Sequence, residues 1–290
     1  MAVLRYLQLD VFAPRPGTGN PLGALLDADG LSSSQMQALA AWLNLSETVF
    51  FLRPSAPRAD YHIRIFTPTR ELAFAGHPSV GAAWVAVTRG LARPRDGALV
   101  QQCAAGLLPV RVSGPAEALQ IQLASPPARQ LDTAAGTAPA ALLALAADGC
   151  APELWDNGAR WWLLPLRDGA AVRSLVPDMA ALAAWSLATD ATGVAVFADE
   201  AGTDHTRVVR AFCPADAPSV PEDPVTGSAN ALIGAWLRQR DALPGGEGRY
   251  VASQGREVGR DGRVQVQVDA QGTVWIGGQV QCVIDGSIHW

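Results

Sequence analysis

A two-domain chain that mixes strands and helices throughout is what the sequence predicts, and three observations predict it. Its 290 residues sit at the point, near ~250–300 residues, where single hydrophobic cores stop growing. Strand and helix signals are mixed in the first half, and the mixture repeats in the second. A glycine turn leading into a small-residue helix occurs twice. Gly76-His77-Pro78-Ser79 precedes Gly81-Ala82-Ala83-Trp84, and Gly227-Ser228-Ala229-Asn230 precedes Gly234-Ala235-Trp236.

Leu4 to Phe12 reads as an opening strand, and Gly17-Thr18-Gly19-Asn20-Pro21 as a turn. Leu22 to Leu26 is a short strand, closed by the turn Asp27-Ala28-Asp29-Gly30. A capping box at Ser32 and Gln35 then starts a helix, with Leu31 and Met36 as its hydrophobic staple. Met36, Leu39, Ala40 and Leu43 share one helical face, and the helix should end near Asn44. Thr48 to Leu52 is β-branched and aromatic, so Glu47 falls at a helix-to-strand junction. Tyr61 to Phe66 alternates as a half-buried strand. Pro78 suits the first position of a helix running to about Val87. Leu99–Gln102, Leu107–Val112 and Leu119–Leu123 read as strands, and the stretch from Ser125 to Gly136 as a linker. Beyond it, helix signals lie at Pro139–Ala147, Asp178–Trp185 and from Gly227 to about Arg238. Strand signals lie at Arg160–Leu166, Gly193–Phe197, Arg207–Phe212, Val264–Val268, Val274–Ile276 and Val280–Ile284.

Composition excludes several classes. Apolar residues make up 49% of the chain, and net charge is −5. With no basic stripe, nucleic acid is not an expected partner, although a local positive site for an anion remains possible. Arg5 and Asp10 break the apolar start, so no signal peptide is expected. The longest apolar stretch, Pro139 to Ala147, is far short of the roughly 20 residues a membrane span needs. Cys103, Cys150, Cys213 and Cys282 form no CxxC pair, so neither a zinc site nor a disulfide framework is implied. Reduced, mostly buried thiols in a cytoplasmic protein are the expectation. No GxxxxGK[ST], strand-linked GxGxxG, HExxH or GxSxG motif is present.

Helix N-termini carry unpaired N–H groups and partial positive charge, so they bind carboxylates and phosphates. The starts at Gly76 and Gly227 could hold one anionic substrate, or each glycine could merely permit a tight turn. Glu47 lies between two apolar elements. Partial burial would raise its pKa from about 4.3 toward neutrality, as a general acid–base requires. The alternative is a helix-end carboxylate facing water. His77 could be neutral and shuttle protons, or cap the turn. Asp223, in Glu222-Asp223-Pro224, could orient a histidine, hold a substrate amine, or be a plain turn residue. His62, His205 and His289 show no partners in sequence.

Four motifs occur in order: Gly19-Asn20-Pro21, Asn44-Leu45-Ser46-Glu47-Thr48, the run from Phe66 through Thr69-Arg70-Glu71 to Gly76-His77-Pro78, and Glu222-Asp223-Pro224-Val225-Thr226-Gly227-Ser228-Ala229. As a set they closely resemble the phenazine-biosynthesis (PhzF-like) isomerase family. The resemblance implies the α+β, diaminopimelate epimerase-like fold: two similar domains, each a barrel-like sheet around a central helix. The domains would be 1–124 and 125–279, with the last strand, about 280–290, returning to the first. It also implies a homodimer that uses no cofactor and no metal and acts on a small-molecule carboxylate. Family acid–base chemistry maps to Glu47, and substrate contacts to His77, Asp223 and Ser228 with the backbone at Gly76 and Gly227.

Related racemases use a pair of cysteines, and neither glycine turn carries one here. A single-carboxyl shuttle at Glu47, which moves a proton on a small, cyclic amino or hydroxy acid, is therefore the reading. An epimerase with Asp223 as a non-thiol second base, or a non-catalytic binding protein of the same fold, are the alternatives. The Pro214–Pro221 loop is where specificity is expected.

Overall fold

The structure is a computed structural model that describes residues 3–115, 118–132, 136, 138–200, 204–215, 221–244 and 248–290. It divides into two compact units, Met1–Ala124 with Gly277–Trp290, and Ser125–Ile276.

The first unit contains β1 (Val3–Val11), β2 (Asn20–Leu25), α1 (Ser33–Leu43), β3 (Glu47–Leu52), β4 (Tyr61–Phe66), β5 (Glu71–Leu72), α2 (Gly76–Thr88), β6 (Ala98–Cys103), β7 (Gly106–Ser113) and β8 (Gln120–Ala124). The second contains β9 (Arg129–Leu131), α3 (Ala140–Leu143), β10 (Glu153–Asp156), β11 (Arg160–Pro165), α4 (Gly169–Ser174), α5 (Met179–Ala188), β12 (Gly193–Asp199), β13 (Arg207–Phe212), β14 (Glu222–Asp223), α6 (Gly227–Gln239), β15 (Arg249–Gln254) and β16 (Gly262–Val268). Strand β17 (Val274–Gly278) carries the boundary, and β18 (Val280–His289) belongs to the first unit.

The two units repeat one pairing scheme. In the first, β18 is antiparallel to β1, β1 to β2, and β3 to β4, while β2–β3 and β4–β6 are parallel. In the second, β9 is antiparallel to β10, β10 to β11, and β12 to β13, while β11–β12 and β13–β15 are parallel. The short strands β5 and β14 sit as hairpin partners on β4 and β13. Parallel neighbours need crossover connections, and the helices supply them: α1 and α2 in one unit, α4–α5 and α6 in the other.

The helices α2 and α6 are the central ones. Gly76 to Ala83 is buried without a break, as is Ala229 to Gly234. A helix buried on every side is enclosed by its neighbours. α2 packs on β1, β2, β3, β4, β8 and β18, so the sheet curves around it. Small residues allow that approach: a Cβ at Gly81 would lie 2.5 Å from Leu22 and 2.9 Å from Val11. This is the α+β, diaminopimelate epimerase-like architecture.

Local signals place the site residues. Ser32 and Gln35 form the expected capping box at the start of α1. Asn44 ends that helix with a left-handed backbone, φ 51°, which asparagine tolerates better than most residues. Three residues later Glu47 opens β3.

The structure corrects several expectations. Helix α2 begins at Gly76, with Ala75 as its cap, so Pro78 occupies the third helical position. Proline is tolerated there because first-turn N–H groups have no intrahelical partner. The expected linker contains β9, which pairs with β10. The helix expected over Pro139–Ala147 shrinks to Ala140–Leu143, because the chain then turns so that Ala146 bridges Leu166. Strands β5, β9, β10, β14 and β15 and helix α4 had no sequence signal. Of the Pro214–Pro221 loop, 216–220 lie outside the described residues. Among the described residues, no helix is long and apolar enough to cross a membrane.

Candidate active site

In the first unit the fold brings Glu47 and His77 together. Glu47 stands at the start of β3 and His77 in the first turn of α2. His77 Nε2 lies 3.2 Å from Glu47 Oε2, with the imidazole 5% and the carboxylate 16% exposed. Burial pushes the His77 pKa from 6.5 down to about 3, so the ring is neutral at neutral pH. A neutral imidazole carries one N–H. The Asn20 amide nitrogen lies 3.4 Å from His77 Nδ1, and Nε2 is the ring nitrogen on the Glu47 side.

Asn20 is itself fully buried at the start of β2. The preceding turn is pinned by Asp10, whose Oδ2 accepts the Gly19 N–H at 3.1 Å. Gly19 is required there, because a Cβ would lie 2.1 Å from the Val11 carbonyl oxygen. The sequence marks Asn20 only within a motif, and Asp10 only as a break in the apolar start. The single carboxylate of β1 is the available signal.

The second unit holds Asp223, Gly227 and Ser228 close in sequence, at β14 and the start of α6. Ser228 Oγ accepts a hydrogen bond from Trp161 Nε1 at 3.0 Å. Its hydroxyl proton is thereby left to donate elsewhere. Asn157 Nδ2 donates to the Ser228 carbonyl at 3.1 Å. Thr226 Oγ1 donates to Asp223 Oδ2 at 2.7 Å. Thr226 is the N-cap of α6, yet its side chain makes no cap bond. Ala75, the cap of α2, has no side chain able to make one. Both central helices therefore start with first-turn amides that no capping side chain satisfies, the arrangement that suits an anion. Trp161, Asn157, Thr226 and Gln254 had no sequence-based role.

Elsewhere in the second unit, His205 is buried between two carboxylates, 2.8 Å from both Glu200 and Asp204. Arg173 grips Glu200 and Glu257, and Arg263 grips Asp204 and Asp261. Every acid in this group has a basic partner, which marks it as structural. Among the described residues, no group of three or more His, Cys, Asp or Glu side chains is arranged to hold a metal ion.

Known proteins match this pattern along nearly its whole length. The profile of the phenazine biosynthesis-like protein family, PhzC-PhzF, matches residues 9–286. The trans-2,3-dihydro-3-hydroxyanthranilate isomerase of Pseudomonas aeruginosa is 34% identical, over 92% of this chain and 91% of its own. Antisense-enhancing sequence 1 of Schizosaccharomyces pombe is 34% identical over 97% of each chain. Among solved structures, a Bacillus anthracis phenazine biosynthesis protein of the PhzF family superposes with a TM-score of 0.86 at 24% identity, covering 100% of both chains. A hydroxyproline epimerase from Agrobacterium vitis shares the fold at 12% identity, with a TM-score of 0.64 over 99% of this chain and 92% of its own. With its duplicated sheet-around-helix units and a match that runs from β1 to β18, the chain belongs to the phenazine biosynthesis-like family of isomerases.

Proposed function

We propose that this protein is a cofactor-independent isomerase that moves a proton between carbons of a small, cyclic amino or hydroxy acid, with Glu47 as the acid–base group. The observation that carries the reading is the contact between Glu47 and a neutral His77, 3.2 Å apart. An ionised Glu47 takes a proton from one ring carbon and becomes the acid. It returns that proton to another carbon, and the double bond moves between them. The proton balance closes on one carboxyl group. His77 sets a neutral ring beside the reacting carboxylate and does not compete for its proton, because burial keeps the ring from protonating. The uncapped helix starts at Gly76 and at Gly227 each suit a carboxylate, and Asp223 and Ser228 are the substrate-contacting groups that the family resemblance implies.

The test uses the substrate of the Pseudomonas aeruginosa relative. Wild type and Glu47→Gln are incubated with trans-2,3-dihydro-3-hydroxyanthranilate in heavy water, and deuterium entry is followed by NMR. Wild-type exchange that Glu47→Gln abolishes supports the reading, and equal exchange by both sinks it. Chiral analysis of the product separates isomerisation from epimerisation through Asp223. An inverted stereocentre with no moved double bond would favour the epimerase.

A further inference from the structure

We propose that Gln254 is a positioning residue, acting through the Thr226 hydroxyl to fix the Asp223 carboxylate as a hydrogen-bond acceptor. The proposal rests on the reading of Asp223 as a substrate-holding group.

Gln254 is the last residue of β15 and is fully buried. A primary amide has two N–H donors and an oxygen with two lone pairs, and all four are used. Its Oε1 accepts from the Thr226 N–H at 3.1 Å and from Asn230 Nδ2 at 2.9 Å. Its Nε2 donates to Thr226 Oγ1 at 3.0 Å and to the Asp223 carbonyl at 3.0 Å. The Thr226 hydroxyl thus accepts a hydrogen bond from Gln254 and has its own proton to donate. That proton goes to Asp223 Oδ2, 2.7 Å away. The amide orientation is fixed, because flipping it would set its N–H groups against the Thr226 N–H and Asn230 Nδ2. Asp223 is therefore held at its main chain and its side chain together, with Oδ2 set as the acceptor of the Thr226 hydroxyl.

The repeat shows that this chain of bonds is not a requirement of the fold. Strand registers make Leu72 the counterpart of Asp223, since each pairs one residue before the phenylalanine that ends its partner strand. The N-cap Ala75 matches the N-cap Thr226. The parallel pairings of Tyr61 with Gln101 and of Arg207 with Ala252 make Cys103 the counterpart of Gln254. All three polar positions are non-hydrogen-bonding side chains or a thiol in the first unit. The trio is present as a whole or replaced as a whole, so it serves Asp223 rather than the architecture.

The test compares Thr226→Val, Thr226→Ser and Gln254→Met with wild type. Deuterium entry into trans-2,3-dihydro-3-hydroxyanthranilate gives kcat and KM, thermal melting reports folding, and proton NMR detects the Thr226 hydroxyl. Thr226→Val should raise KM at least 10-fold with little loss of melting temperature, and Thr226→Ser should stay within about 3-fold of wild type. The wild-type hydroxyl proton should exchange slowly enough to be seen, and should vanish from the spectrum in Gln254→Met. Wild-type KM in a folded Thr226→Val, or equal damage in Thr226→Ser, overturns the proposal. So does a fast-exchanging hydroxyl in wild type. A visible hydroxyl with no deuterium entry into the probe supports the bond relay while counting against the functional reading.

Discussion

Glu47 and Gly193 occupy the same point of the repeated fold. Each is the first residue of the strand that follows a crossover, pairing in parallel with Leu22 in one unit and Trp161 in the other. One position carries a carboxylate. At the other, a Cβ would lie 2.0 Å from the Phe212 carbonyl oxygen and 2.9 Å from the Trp161 ring. A matching second base at position 193 is excluded by space. Gly193→Ala should cost about 3 kcal/mol, at the upper end for overpacking, because backbone must move. Urea unfolding checks this, and an unchanged midpoint would show that the strand start yields freely.

Glu47→Gln keeps the shape of the side chain and removes its acid–base capacity. Loss of a general base typically costs ~10²–10⁴ in rate, so kcat should fall by that amount with the far-UV spectrum unchanged. Asp223→Asn should act mainly on KM, since that carboxylate holds substrate in the proposed reading. Steady-state kinetics on one substrate separate the two effects.

His77 supplies a pH signature of stability. Its folded pKa, about 3, lies below its ordinary 6.5, so between those values only the unfolded chain takes up this proton. Stability therefore falls as pH drops through that window, by up to ~1.4 kcal/mol per pH unit. Glu200, hydrogen-bonded to Arg173, and Asp204, hydrogen-bonded to His205 and Arg263, are both held at about 2. Their contributions are present above the ordinary carboxylate range and are lost only as pH falls toward 2. The His77 effect consequently stands apart above about pH 5. His77→Asn should flatten the change in urea midpoint between pH 6.5 and about pH 5, and an undiminished slope would assign it to other groups.

The repeat also offers an internal comparison of ion pairs. Arg64–Glu71 and Arg210–Glu222 join equivalent hairpins, and each guanidinium lies 5.0 Å from the ring of the following phenylalanine, Phe66 or Phe212. The side chains of the first pair are 22% and 35% exposed, and those of the second 6% and 6%. Arg210 also donates to the carbonyls of Val172 and Leu175. Breaking a buried pair strands a charge and costs ~3–5 kcal/mol, while an exposed pair contributes roughly 0–1. Glu222→Gln should therefore destabilise far more than Glu71→Gln. Chemical denaturation of both variants decides it, and equal losses would contradict the burial argument.

Much of this was legible in the sequence. The capping box at Ser32 and the apolar periodicity of α1 are local signals, and local signals survive folding. The glycine turns marked the starts of both helices, and the family resemblance made them the central ones. Glu47 and His77 were nameable one by one, but their contact was not, since the 29 residues of chain between them set it by register. Gln254 was invisible for the same reason: a glutamine at a strand end has no local pattern, and its partners lie in a loop and a helix. The short strands β5 and β14 are held by pairing with their neighbours, so two residues carried no period to read.

Strand β18 runs antiparallel along β1, from Val3 opposite His289 to Val11 opposite Val280. Strand β1 is thus made well before its partner β18. Residues 125–276 can assemble meanwhile, but β1 keeps an open edge until translation has passed His289. Open edges invite pairing with other chains. A stalled or truncated product lacking β18 is therefore the species most exposed to aggregation, and the order of synthesis itself becomes a hazard that this topology carries.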